Sequence, residues 1–379
     1  HRDLHSFPTR RSSDLHGHPN IRVLTGARLK ELAGYIGNFQ IKLDVPDEAG
    51  ILREQKIEVG AVVVATGWQP YAQAKLPEYG GGEIADVVDG LTFETMLRDK
   101  NIRRPSDGRI PQEIVFVQCA GSRDPERGVS YCSKVCCMYV AKQAMMYKEL
   151  VPDGQAYVFY IDIRSAGKGY DEYVQRAMTD FQVLYLRGKV SKVFKDAGKV
   201  MVWGADTLTD RAVEIAADLV VLATPMYPAD EAVDLGQRLH ISSDAYGFYN
   251  EAHIKLRPVE TLTAGIFLAG TAQGPKDIPE TAAQASGAAA KVLQMFSNKE
   301  MTLSPLVATV TADLCSACGA CVEICPYEAR QIHPLWNYAT VNASLCQSCG
   351  ACVTACPNKA SQVHNWRPGQ ILSMLDEVM

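Results

Sequence analysis

The sequence is poor in several things, and each shortage removes a class of function. No apolar run approaches the roughly 18 residues a membrane-spanning helix needs, so no transmembrane segment is expected. Lys and Arg number 38 against 43 Asp and Glu, for a net charge of −5. With no long basic run there is no nucleic-acid footprint. Nothing resembles a secretory signal, and no cysteine lies outside residues 119–137 and 315–356. Disulfide scaffolds spread their cysteines through small secreted domains, so that class is excluded too. A dinucleotide-type G-x-G-x-x-G unit is also missing.

What is present is a 379-residue chain, 47% hydrophobic and 21% charged. That length supports two or three domains with ample core. The 12 cysteines crowd at gaps of two and three residues, which indicates metal and a reducing cytoplasm. Residues 1–20, rich in His, Ser and Arg, do not match the rest of the chain and read as a disordered leader or a non-native segment.

Strand-like segments from Ile21 to Thr66 suggest a meander feeding the buried strand of "AVVVATG". From Glu113 the rhythm becomes strand, helix, strand, with "SKVCCMYVAKQAMMYKEL" read as the helix. A second helix and a second meander lead to "VVLATP", an echo of "VVVATG" that suggests two related α/β lobes. "GIFLAGTAQGPKDIPETAAQ" then gives a strand, a Gly-rich turn and a helix whose Asp277 and Glu280 form a capping box. The expected organisation is a partial first lobe at 21–104, a degenerate nucleotide-type lobe at 105–225, a return to the first lobe at 226–303 and a cysteine module at 304–379.

"CSACGACVEICP" and "CQSCGACVTACP" both fit C-x2-C-x2-C-x3-C-P, the spacing that holds two [4Fe–4S] clusters in bacterial ferredoxins. In that arrangement the fourth cysteine serves the other cluster. Cys315, Cys318 and Cys321 would join Cys356, while Cys346, Cys349 and Cys352 would join Cys325. A pair of zinc knuckles is the bland alternative.

Ala65-Thr66-Gly67 and the distal turn that includes Gly270, Thr271, Gln273 and Gly274 sit where open α/β sheets bind ligands. Both resemble the motifs flanking FAD in flavoproteins of the thioredoxin-reductase type. That resemblance implies Gly270 and Thr271 near the ribityl and phosphate portion, and the helix opening at Ile278–Pro279 aimed at the isoalloxazine. Thr271 departs from the Asp common at this place in such proteins. Lys276 is a candidate to approach and tune the ring, with a surface lysine as the plain alternative.

The second lobe's first strand runs into "CAGSRD" where a nicotinamide-binding turn would be expected. Cys132 and Cys136 are read as i,i+4 partners on one helix face, with Cys137 adjacent and Cys119 at the strand end. Four converging thiolates could ligate a third [4Fe–4S] cluster. A redox dithiol, structural zinc and inert buried thiols are the rivals. If the cluster is right, Asp162 is a remnant of the fold and not a ribose ligand.

Together "CAGSRD…YCSKVCCMYVAKQA", "GIFLAGTAQGPKDIPETAAQASGAAAKV" and the paired ferredoxin motifs resemble the A-subunit of heterodisulfide reductase, from about Ile21 to the C-terminus. The resemblance implies a partial two-lobed flavoprotein fold of the FAD/NAD(P) type plus an α+β ferredoxin-like domain. It implies FAD, clusters, and an N-terminal region not present in this sequence. It further implies a hydrogenase or formate dehydrogenase donor in an anaerobe, with bifurcation at the flavin toward ferredoxin and toward disulfide-reducing partner subunits, as in methanogenesis. A homodimer within a larger complex is compatible with it. Two other roles are an electron relay on a quinone-linked complex and an NAD(P)H oxidoreductase like the small subunit of glutamate synthase.

Overall fold

A computed structural model describes residues 15–297, 300, 306–366 and 368–378. Most of the leader expected at 1–20 lies outside these residues. The chain forms two compact units. The first draws on the chain up to Val64, Glu231–Ala269 and Ser286 onward; the second is Ala65–Asp230 with Gly270–Ala285.

The first unit opens with an antiparallel meander of β1 (Arg28–Tyr35), β2 (Asn38–Pro46) and β3 (Leu52–Val59). Leu32, Phe39 and Ile41 are its buried residues, on the face that period-two alternation presents to the core. Residues 21–27, expected to be strand, carry no regular structure. Gly26 turns the chain there at φ 69°. β4 (Val62–Val64) follows.

The second unit starts with β5 (Gln69–Pro70), β6 (Val87–Asp89) and α1 (Gly90–Arg98), whose N-cap Asp89 accepts the Thr92 N–H. β7 (Glu113–Val117), α2 (Cys136–Leu150), β8 (Gln155–Tyr160), α3 (Tyr170–Thr179) and β9 (Leu184–Arg187) continue it. A second meander, β10 (Val190–Asp196), β11 (Lys199–Asp206) and β12 (Arg211–Ala217), leads into β13 (Leu219–Leu222) and β14 (Met226–Tyr227). Five of these strands make one parallel sheet in the order β6-β13-β7-β8-β9. Residues 65–104, expected with the first lobe, therefore belong here, because Val87–Asp89 ladder in parallel with Val220–Leu222.

Both faces of the sheet are covered, so β7 and β13 read as continuous apolar runs. Phe93 of α1 meets Phe116 of β7 edge to face at 5.5 Å, and both are fully buried. Each such ring stabilises the fold by about 1.5–3 kcal/mol.

The N-terminal ends of the strands are tied by buried charge. Arg104 donates to Asp86 at 3.0 Å and lies 3.5 Å from Asp218, which also accepts from Lys199 at 2.6 Å and from the Gln112 and Glu113 amides. Burial pushes both carboxyls up, but the Ser106 hydroxyl and amide with Arg104 at Asp86, and Lys199 with the two amides at Asp218, outweigh it and lower them. A depressed carboxyl contributes stability above its unfolded pKa of about 3.9, and that is lost as pH falls through the folded value. The thermal unfolding midpoint should therefore hold from pH 7 to about 5 and drop below about 4. Asp86→Ala leaves Arg104 buried without this partner, at a cost of about 3–5 kcal/mol, and should lower the midpoint already at pH 7. Circular dichroism melts at the two pH values check both.

Beyond Asp230 the chain forms α4 (Ala232–Arg238) and β15 (Ile266–Leu268), which pairs in parallel with β4. α5 (Ile278–Ser297) follows, and its later turns bury Ala288 against Val259 and Phe267. The cysteine module pairs β16 (Ala308–Val310) with β19 (Ser361–Val363) and β17 (Arg330–Ile332) with β18 (Ala339–Val341). Two helical turns, α6 (Ala320–Glu323) and α7 (Ala351–Thr354), lie between, and α8 (Pro368–Val378) closes the described chain. An α/β body with an appended α+β module is thus the class the sequence points to. Among the described residues no helix is long and apolar enough to cross a membrane.

Candidate cluster sites and flavin edge

In the module, two copies of one motif face each other. Each Cys-x-x-Cys-x-x-Cys turn carries left-handed residues on either side of its second cysteine: Ala317 (φ 52°) and Gly319 (φ 81°), then Ser348 (φ 59°) and Gly350 (φ 78°). Alternating backbone of this kind turns successive N–H groups inward, a nest suited to an anionic centre. Ala339 N–H donates to Cys315 Sγ and Ala308 N–H to Cys346 Sγ, both at 3.4 Å.

Cys315, Cys318, Cys321 and Cys356 border one cavity. Cys325, Cys346, Cys349 and Cys352 border a second. The residues of each exchanged quartet therefore share a space. Among the described residues no three His, Cys, Asp or Glu side chains close on a single metal ion. Four soft thiolates around one space suit a multi-iron cluster held between them. The donor set fits the cluster.

Of the other four cysteines, Cys119 follows the C-terminal end of β7, Cys132 lies on the loop and Cys136 and Cys137 open α2. Cys119 ends the strand run in a left-handed conformation, φ 58°, which a non-glycine residue holds only under constraint. The loop behind it folds back tightly, with Val129 N–H donating to Gly121 O at 2.9 Å. Cys132 does not share a helix face with Cys136, contrary to the i,i+4 reading. α2 begins only at Cys136, because Lys134 is left-handed at φ 50° and Ser133 is buried, its Oγ accepting the Met226 N–H at 2.9 Å. The thiols thus arrive from a strand end, a loop and a helix start.

Proximity shows in their protonation. Burial, then Cys137 and Cys132, push Cys119 up to about 11. Burial with the other three thiols drives Cys136 well upward. Cys137 is raised by burial despite the Arg164 amide, which donates to its Sγ at 3.3 Å. Cys119, Cys136 and Cys137 are thus held toward the neutral form, and metal binding would release their protons.

The surroundings fit such a centre. Arg123 and Arg164 both reach Asp162, at 2.8 and 3.2 Å, leaving an excess of positive charge beside the thiols. Asp162 is more than a remnant, because it holds these two guanidiniums. Gln118 Nε2, Ser122 Oγ and the Tyr185 hydroxyl are buried without hydrogen-bond partners on or beside the loop, donors that inorganic sulfide could satisfy. Sequence reading misses Gln118, Arg123 and Arg164, and "CAGSRD" holds the only signal for the first arginine.

Gly128 makes the loop's close approach possible. A Cβ there would lie 2.1 Å from the Gly121 carbonyl oxygen. Gly128→Ala should cost about 1–3 kcal/mol through overpacking and lower the iron bound at this locus, which iron analysis of reconstituted protein checks.

The flavin-type turns have the local geometry expected of them. Ala65, Thr66 and Gly67 follow β4 in irregular chain, with Gly67 at φ 74°. Gly270 (φ 69°) opens a one-turn helix with Thr271, and a Cβ on it would meet Thr281 at 3.1 Å. The capping box is formed: Glu280 N–H donates to Asp277 at 2.8 Å and Asp277 N–H to Glu280 at 3.1 Å. Gln273 pairs with Gln284, Ile278 is 85% exposed, Pro279 is exposed, and Gly274 and Lys276 are half-buried. Burial raises Glu280, but Lys134, the Asp277 amide and Lys276 lower it overall. The Lys134–Glu280 ion pair also joins the cysteine loop to the first turn of α5, while Lys134 N–H donates to Cys132 Sγ at 3.3 Å. The two candidate sites are therefore neighbours within one unit.

Residues 314–360 match the family described as 4Fe-4S dicluster domain. Curated relatives include the A-subunit of the H(2):CoB-CoM heterodisulfide,ferredoxin reductase of Methanothermobacter marburgensis, 34% identical over 84% of this chain and 60% of the relative. The second iron-sulfur A-subunit of the CoB--CoM heterodisulfide reductase of Methanopyrus kandleri is 40% identical over 76% of this chain and 45% of the relative. The chain thus spans 60% or less of either relative's length. Similar solved structures include the thioredoxin reductase of T. acidophilum, with TM-score 0.44 and 14% identity over 72% of this chain and 73% of that one. The HOCl-induced flavoprotein disulfide reductase of Escherichia coli gives 0.47 and 12% over 80% and 57%.

Proposed function

Because the chain belongs to the heterodisulfide reductase A-subunit family, we propose that it is an FAD- and iron–sulfur-dependent electron-transfer subunit of a cytoplasmic complex of that type. The observation that carries this reading is the junction in the second unit. Cys119 follows β7, Cys132 lies on the loop and Cys136 and Cys137 open α2 at the sheet's C-terminal end, and Lys134–Glu280 ties their loop to the turn suited to flavin.

FAD, when bound, exchanges electrons in pairs or singly, and iron–sulfur clusters pass them one at a time. The residues around them hold and bias these groups. Gly67, Gly270 and Thr271 would let backbone approach the dinucleotide, and α5's first turn would present N–H groups to the ring edge. Lys276 would set its positive charge beside that edge. Cys119, Cys132, Cys136 and Cys137 would ligate one cluster, with Arg123 and Arg164 offsetting its negative charge. The two exchanged quartets would ligate two more.

The proposed partners are a hydrogenase or formate dehydrogenase module as donor, ferredoxin, and disulfide-reducing subunits. M. maripaludis has a relative named for H(2)/formate and ferredoxin, which supports that choice. Bifurcation at the flavin would give ferredoxin and the disulfide-reducing subunits separate single-electron exits.

An anaerobic titration of the FAD- and iron-reconstituted chain tests the reading. Reduced ferredoxin is expected to bleach clusters and flavin, while NADH and NADPH leave them oxidised. Bleaching by NAD(P)H would instead support the glutamate-synthase-like role.

A further inference from the structure

The two halves of the cysteine module match strand for strand, and among their buried positions one equivalent pair differs. Arg330 opens β17, and its counterpart opening β19 is Ser361. Arg330 is 4% exposed. One of its Nη atoms donates to Ser361 Oγ, while Nε and the other Nη have no partner. Among the described residues its guanidinium's one hydrogen-bond partner is thus a neutral hydroxyl. A buried guanidinium without an anion is costly, so the position needs a negative partner that side chains do not supply.

Arg330 lines the cavity of Cys325, Cys346, Cys349 and Cys352, whereas Ser361 lines that of Cys315, Cys318, Cys321 and Cys356. One cavity therefore faces a full charge, and the other faces a hydroxyl dipole at the equivalent position.

Each one-electron reduction adds a negative charge to a cluster and moves no proton. A nearby fixed positive charge favours the reduced form, and in a low-dielectric interior a full charge outweighs hydrogen-bond dipoles. We propose that Arg330 sets the two module clusters apart in potential, holding the cluster of Cys325, Cys346, Cys349 and Cys352 above its twin. An electron entering the module then comes to rest there, which gives the module a direction. The inference rests on both quartets holding clusters, as in the proposed function.

The test is an anaerobic redox titration of the reconstituted full chain, followed by EPR, after iron counting. Cys325→Ser and Cys356→Ser assign each step to its cavity. Arg330→Gln keeps a donor for Ser361 and removes the charge. It should lower the reduction equilibrium of the higher step about tenfold, or about 59 mV for one electron, and the other step less. Arg330→Lys should restore most of the gap. If Arg330→Gln loads iron poorly, the assignment of the higher step to one cavity still decides. The proposal is overturned if the higher step belongs to the Cys356 cavity, or if both variants leave the gap within twofold of the parent. Loss of module clusters from the parent chain itself would overturn the proposed function instead.

Discussion

Replacing Cys132 with alanine should remove about four of about twelve iron atoms per reconstituted chain, with an equal loss of acid-labile sulfide. Cys132 sits on a half-buried loop outside α2, so its removal opens no large cavity in the core. The effect then reports ligation, with little contribution from packing. Cys136→Ala should give the same loss, but it also empties a buried position and adds a cavity cost of about 1 kcal/mol. The rivals differ in kind. A redox dithiol predicts unchanged iron and a missing disulfide step. Structural zinc predicts the loss of one zinc atom. Inert thiols predict unchanged metal.

The second large effect separates the exchanged quartets from two local ones. Cys321 and Cys356 border the same cavity although they lie in different repeats. Cys321→Ala with Cys356→Ala should therefore abolish one cluster, about four iron atoms. Cys321→Ala with Cys325→Ala alters neighbours in one repeat but damages both cavities, and about eight iron atoms should go. Local pairing within each repeat would reverse the two results. EPR of the reduced variants distinguishes one surviving module cluster from none.

The module is the most legible part of the sequence, because three cysteines within seven residues cannot spread far and their spacing prescribes the turn. The strand order is legible where apolar runs are long, as at Glu113–Val117 and Leu219–Leu222. Sequence pattern misplaces residues 87–98 because three-residue β6 leaves little signal, and its parallel partner comes more than a hundred residues later. The i,i+4 reading of Cys132 and Cys136 fails for a local reason. "SKVCC" has helical composition, but the bond between Met226 N–H and Ser133, with Lys134 in a left-handed conformation, delays the helix to Cys136. Arg330 illustrates another limit: its residue type suggests surface, and only the fold buries it next to a cysteine-lined cavity. Asp162 looks like a leftover in the sequence, whereas packing gives it two arginines to hold.

The central claim is that sulfur ligands occupy the dinucleotide end of the second sheet. Iron, acid-labile sulfide and zinc measured together on the anaerobically reconstituted chain test it most directly. About twelve iron and twelve sulfide per chain with no zinc is the expected result. About eight of each, accompanied by one zinc or by a disulfide among Cys119, Cys132, Cys136 and Cys137, would contradict it.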